Sequence, residues 1–173
     1  SIIVGYVYSV NKNLKSIVFT DSITGYINYY KFIEILKQHV KDKTACNYCI
    51  IYFDMQKFKY INTNFGYETG NTILKIIAYS LHLNLNSDEC FARVYADNFV
   101  ILINKNKGNV EKRLKQLAYK TRKEILNRFN YVNVTARCGV YAIQPQDNIA
   151  SDIIDKANIA RQVIGSNMNK FIS

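Results

Sequence analysis

The sequence predicts an α/β (α+β) domain, a mixed central sheet that carries one β-hairpin and is flanked by helices. Three observations predict it. Helix-periodic and strand-like segments alternate along the chain. Two apolar strands meet head-on at a tight turn in the middle, in "FARVYADNFVIL" at 91–102. A single Pro and seven Gly leave few breaks, so the elements are long and closely joined. At 173 residues the chain has the size of one domain with a core of its own.

Each element has its own signal. Residues 29–42, "YYKFIEILKQHVKD", place Phe32, Ile35, Leu36 and Val40 on one helical face. "YCIIYFD" (48–54) is a short apolar strand that ends in an acid. "FKYINTNFG" reads as a short helix closed by Gly66, and 69–85 as a second, amphipathic helix. Residues 91–95 and 98–103 form the hairpin. Val110, Leu114, Leu117, Thr121, Ile125 and Phe129 recur at helical spacing, "YVNVTARCGVYAI" (131–143) alternates like a strand, and 150–164 is a last helix. Residues 1–20 are expected to be a linker helix leading into a domain spanning 21–173.

Composition bounds the function. Half the residues are apolar and about a fifth charged, as in globular proteins, and no apolar run reaches the length of a membrane span. The chain starts without Met and is expected to be a fragment, cytoplasmic or the cytoplasmic part of a membrane-anchored protein. The net charge is +10, and nine Lys or Arg against two Glu fall within 104–129. That helix reads as a solvated basic face; without a recognition motif, no nucleic-acid partner is expected. Cys46, Cys49, Cys90 and Cys138 read as free structural thiols. "CNYC" leads into a strand instead of opening a helix, and two further convergent zinc ligands are lacking.

Two acids stand at strand ends, Asp54 and Asp97. Each alone is ordinary turn chemistry. If the first strand lies beside the hairpin, both project from one edge, an arrangement that suits Mg²⁺ with substrate phosphates.

At that edge the sequence resembles the GGDEF domain, the family of diguanylate cyclases that join two GTP into cyclic di-GMP. "DSITGYINYYKF", "YFDMQKFKYINTNFGYETGNTILKIIA", "ARVYADNFVIL" and "VTARCGV" follow the family's motifs in order and spacing over about residues 20–170. The resemblance implies the nucleotidyl-cyclase, palm-like fold. It makes Asp97 the catalytic acid of the hairpin and, with Asp54, a ligand of Mg²⁺. Lys59 would meet a phosphate, Asn62 and Asn71 would read the base, and Gly66 and Gly70 match backbone positions of the family.

The departures are as informative. The signature's two glycines are Tyr95 and Ala96, its second acid is Asn98, and the strand motif's second Asp is Gln56. Tyr95 brings bulk to where the family's phosphates approach the chain, and Asn98 and Gln56 each remove a charge beside the expected metal. Asn71 replaces an Asp that accepts two hydrogen bonds from guanine, which lowers guanine affinity and suits adenine better. Counted without gaps from Ala157, the family's phosphate-binding Lys and Arg fall on Gly165 and Asn169. The feedback motif falls on Asn86 and Glu89 and is absent.

The resemblance therefore implies a degenerate GGDEF domain of a bacterial cyclic di-GMP signalling protein. It would be impaired as a cyclase and act as a GTP-sensing regulatory module for a covalently linked EAL phosphodiesterase domain. Expected partners are GTP or another purine nucleotide, with Mg²⁺ if nucleotide is held, and a second copy of the chain. An active cyclase and a ligand-free dimerisation scaffold are the alternatives left open.

Overall fold

The computed structural model describes residues 2–4 and 18–165. The ordered elements are α1 (Tyr29–Lys41), β1 (Tyr48–Met55), α2 (Phe58–Asn84), β2 (Cys90–Tyr95), β3 (Asn98–Asn104), α3 (Val110–Arg128), β4 (Ala136–Ala142) and α4 (Ala150–Gly165), with a 3-10 turn at Ala45–Asn47. Of the expected linker helix, residues 2–4 and 18–19 are described and are helical, and Thr20 forms an antiparallel bridge with Ile27; the rest, and Asn169, lie outside the described residues.

The strands form one sheet in the order β2-β3-β1-β4. Among the described residues every strand pair is antiparallel, and parallel pairing is confined to one isolated bridge, Asn28–Arg93. The reason lies in the connections. The helical crossover α2 makes β2 run in the same direction as β1, but the hairpin returns β3 between them, so the two parallel strands never touch. This is the β-α-β-β-α-β split arrangement.

Helices cover both faces, which is why β1 is buried along all eight residues and carries no polar alternation. On one face Ile51, Phe53, Phe99 and Ile101 pack with Ile73, Leu74 and Ile77 of α2 and Ile125 of α3. On the other, Ile50, Tyr52, Val100 and Leu102 pack with Phe32 and Leu36 of α1 and Ile153, Ile154 and Ala157 of α4. Asn28 caps α1 by accepting from the Lys31 N–H at 3.1 Å, and Asn109 caps α3 in the same way through Lys112 at 2.8 Å.

Two boundaries differ from the sequence reading. The two expected helices are one element, α2, broken at Gly66, whose backbone (φ 83°, ψ 159°) only glycine adopts readily. Strand β4 begins at Ala136, five residues later than the alternation predicts. Val132 and Val134 reach the core from an irregular segment instead, and the Thr135 carbonyl accepts from the Gln56 N–H at 2.8 Å.

All four cysteines are free. Burial raises the thiol pKa of Cys49 and Cys138 and pushes Cys90 up to about 12, which keeps these three protonated and unreactive.

Candidate functional site

The site is built where β1 and the hairpin end together. In the β1–β3 ladder Phe53 faces Phe99, so the two residues beyond, Asp54 and Met55, reach the hairpin tip. There the Met55 N–H donates to Asp97 Oδ2 at 3.0 Å. The expected meeting of Asp54 and Asp97 at one edge is thus realised. Burial pushes the Asp97 carboxyl above its ordinary value, and the neighbouring Asp54 charge adds to that, against hydrogen bonds from Met55 and from its own backbone.

The hairpin turns on Ala96 and Asp97. Ala96 sits at φ 45°, in the left-handed region that the family's glycine occupies freely. With a Cβ present the conformation costs about 1–2 kcal/mol. It is held from the strand before it: Arg93 donates from Nε to the Ala96 carbonyl at 2.7 Å and from Nη1 to Asp21 Oδ2 at 2.8 Å. Asp21 in turn accepts from the backbone and hydroxyl of Thr24. The "DSITG" turn and the Arg of "ARVYADN" are therefore one brace for the hairpin.

Tyr95 is 61% exposed, and its phenol lies beside that of buried Tyr52, whose pKa is pushed up to about 12 by burial first and by Tyr95 next. Arg161 stands 5.2 Å from the centre of the same Tyr52 ring. Tyr95 thus belongs to the face of the sheet that also carries Asp54.

Asp54 itself is not free. Arg137 lies directly opposite it in the β1–β4 register and donates from Nε to Oδ1 at 3.1 Å and from Nη2 to Oδ2 at 2.5 Å. Arg161 of α4 donates from Nη1 to the same Oδ2 at 2.5 Å. Sequence reading missed both arginines. The signal was present for Arg161: Ile154, Ala157 and Arg161 follow one helical stripe, so a charge ends an apolar face and needs a buried acid.

The residues expected to read the base and meet the phosphate, Asn62, Asn71 and Lys59, lie on α2. Lys59 is exposed on its first turn, and Asn62 follows on the next. The break at Gly66 folds the two halves of α2 so that Asn62 packs on Gly70. A Cβ on Gly70 would stand 2.0 Å from Asn62 Oδ1. Asn71, half-buried, is the next residue along. Asn62 Oδ1 is buried and accepts no hydrogen bond among the described residues. Asn62, Gly70 and Asn71 are therefore brought together, with Lys59 one turn before.

The expected Mg²⁺ fits poorly. Both oxygens of Asp54 are occupied by guanidinium N–H groups, and Gln56 and Asn98 carry no charge. Among the described residues no cluster of three His, Cys, Asp or Glu could hold a metal ion. These residues do not form a divalent-cation site.

Asn86 and Glu89, at the feedback-motif positions, bond to each other: Glu89 Oε2 accepts from the Asn86 backbone N–H at 2.8 Å and from its side chain at 3.0 Å. Glu89 also takes both Nη groups of Arg113, at 2.7 and 2.6 Å. The pair is a structural knot between the two strands of the hairpin and α3.

The family model described as "Diguanylate cyclase, GGDEF domain" matches residues 18–170. Among curated proteins, the chain is 25% identical over 167 residues to the cyclic di-GMP phosphodiesterase NbdA of Pseudomonas aeruginosa, covering 93% of this chain and 21% of that protein. It is 24% identical over 153 residues to the diguanylate cyclase DgcP of Escherichia coli, covering 82% of this chain and 43% of that protein. The chain thus spans less than half the length of either relative. In structure it is similar to the coiled coil and GGDEF domain of DgcB from Caulobacter crescentus in complex with c-di-GMP. The TM-score there is 0.85 at 15% identity, covering 99% of this chain and 93% of that one. GGDEF domains generally use Mg²⁺ for catalysis. By its motifs, its fold and the family match, this chain belongs to the diguanylate cyclase GGDEF-domain family.

Proposed function

We propose that the chain is a regulatory GGDEF domain of a cyclic di-GMP signalling protein, one that holds a purine nucleotide and does not turn it over efficiently. The observation that carries this reading is the buried Asn62 Oδ1 without a donor. An orphaned buried acceptor costs about 1–3 kcal/mol, so a site that keeps one has a ligand donor to meet it. The ring N–H or amino group of guanine, or the amino group of adenine, supplies that donor. Asn71, beside Gly70, is the second reader, and Lys59 meets the phosphates.

Catalysis is the part that has been lost. Asp97 stands as the signature's acid, but Asn98 and Gln56 lack the neighbouring charges, and Asp54 is engaged by Arg137 and Arg161. Losses that act on one transition state compound. Curated relatives matched over only part of their length include phosphodiesterases as well as cyclases. That supports a regulatory module joined to an EAL phosphodiesterase domain in a cytoplasmic, bacterial protein, with a second copy as an additional partner.

The test is incubation of the chain with GTP and Mg²⁺, with products resolved by chromatography, beside a binding titration with the same nucleotide. The expected result is bound GTP without cyclic di-GMP. Accumulation of cyclic di-GMP over many turnovers would assign an active cyclase, and absence of binding by folded protein would assign a scaffold.

A further inference from the structure

In this chain a carboxylate that resembles a metal ligand is held entirely by cations of the protein itself. Its Oδ1 takes Arg137 Nε, and its Oδ2 takes Arg137 Nη2 and Arg161 Nη1. Both arginines are fixed in place. Arg137 is the cross-strand neighbour of Asp54, so the pair persists as long as β1 and β4 stay paired. The Arg161 side chain is only 8% exposed, and its Nε and Nη2 both donate to Asn158 Oδ1, at 3.1 and 2.8 Å. Its guanidinium lies over Tyr52, and its backbone rests against Gly139, where a Cβ would stand 2.2 Å from the Arg161 nitrogen.

We infer that Arg137 and Arg161 form a built-in counter-ion that takes the place of a divalent cation at Asp54, so that this strand edge works without metal. The charge count agrees. Two guanidiniums bring the positive charge a divalent ion would bring, and they face Asp54 and the neighbouring Asp97, the acids that remain beside Gln56 and Asn98. A metal entering here would have to expel both arginines, leaving Arg161 buried beside a divalent ion of like sign. Guanidinium, unlike a metal ion, bonds carboxylate in a planar fork and polarises no attacking hydroxyl. The exchange thus separates charge balance at the edge from the chemistry a metal supplies there.

This inference rests on the strand edge being the one proposed above, but its test uses a metal alone and so can fail independently of nucleotide binding. The probe is Mn²⁺, titrated into the folded chain and followed by the electron paramagnetic resonance signal of the free ion. The wild type is expected to bind no Mn²⁺ that Asp54→Asn removes. Arg137→Ser, checked for folding by circular dichroism, is expected to bind Mn²⁺ at least tenfold more tightly than the wild type, with the gain lost in Arg137→Ser/Asp54→Asn. Wild-type binding that Asp54→Asn abolishes overturns the inference. Folded Arg137→Ser with no gain also overturns it, because the arginine is then not what keeps metal out.

Discussion

Arg161 reaches Asp54 because Gly139 has no side chain. A Cβ at Gly139 would stand 2.1 Å from the Ala157 carbonyl and 2.8 Å from the Arg161 Cα, both backbone atoms of α4 that cannot rotate aside. The glycine therefore sets how closely α4 lies on β4, and that depth carries the Arg161 guanidinium to the carboxylate, 107 residues away in sequence.

Gly139→Ala is accordingly expected to lift α4 off the sheet. Overpacking against rigid backbone costs about 1–3 kcal/mol, and weakening of the Arg161–Asp54 bond comes on top. Urea denaturation measures it as a lower midpoint with an unchanged slope. A midpoint equal to the wild type's would show that α4 is free to shift and that its depth is not set at Gly139.

Gly70→Ala tests the other half of the site. Here the added Cβ meets the amide end of Asn62, a side chain that can swing away, and the edge of the Phe58 ring at 3.2 Å, which has to give by a few tenths of an ångström. Stability is expected to change by less than about 1 kcal/mol, since alanine favours the helix. Purine binding is expected to fall about tenfold, because the Asn62 acceptor leaves its place. Calorimetric titration reads the second effect and thermal melting the first. A large fall in stability with unchanged binding would reverse the assignment.

Restoring the two signature glycines should not restore catalysis. Tyr95→Gly/Ala96→Gly removes the exposed phenol and relieves the φ of 45° at Ala96. The backbone gain of about 1 kcal/mol is largely offset by the freedom glycine adds to the unfolded chain. Asp54 remains paired with its arginines, so chromatography of a GTP reaction is expected to reveal no cyclic di-GMP above the wild-type level. A large increase would identify the tyrosine as the block.

Acid stability reports on Glu89, at the position of the missing feedback motif. Burial pushes its carboxyl up, but Arg113 and the N–H groups of Asn86 and Asn104 outweigh burial and hold it below its ordinary 4.5. A lowered folded pKa contributes stability that is present above the unfolded value and lost as pH falls through the folded one. Glu89→Gln is therefore expected to be about 1.5–3 kcal/mol less stable at neutral pH, with the two proteins converging in acid. Parallel melting curves from pH 7 to pH 3 would rule out this role.

Much of the fold was legible because its signals are local. Two apolar runs meeting at a tight turn marked the hairpin, helical spacing marked α1, α3 and α4, and Gly66 marked the break in α2. The antiparallel order was less legible, because it depends on which strand slips between β1 and β2. In the site, the positions Asp54, Asp97, Asn62 and Asn71 were singled out by the resemblance to the family's motifs. The partners of Asp54 could not. Arg137 lies 83 residues away and Arg161 107, and only the register of β4 and the depth of α4 bring them together.

The most direct measurement is a calorimetric titration of the chain with GTP, then ATP, in the wild type and in Asn62→Ala. Micromolar binding that weakens at least tenfold in the variant is the expected result, since in the proposed function the nucleotide satisfies the buried Asn62 acceptor. No heat from either nucleotide with folded wild-type protein, or equal binding by both proteins, would contradict a nucleotide-holding regulatory domain.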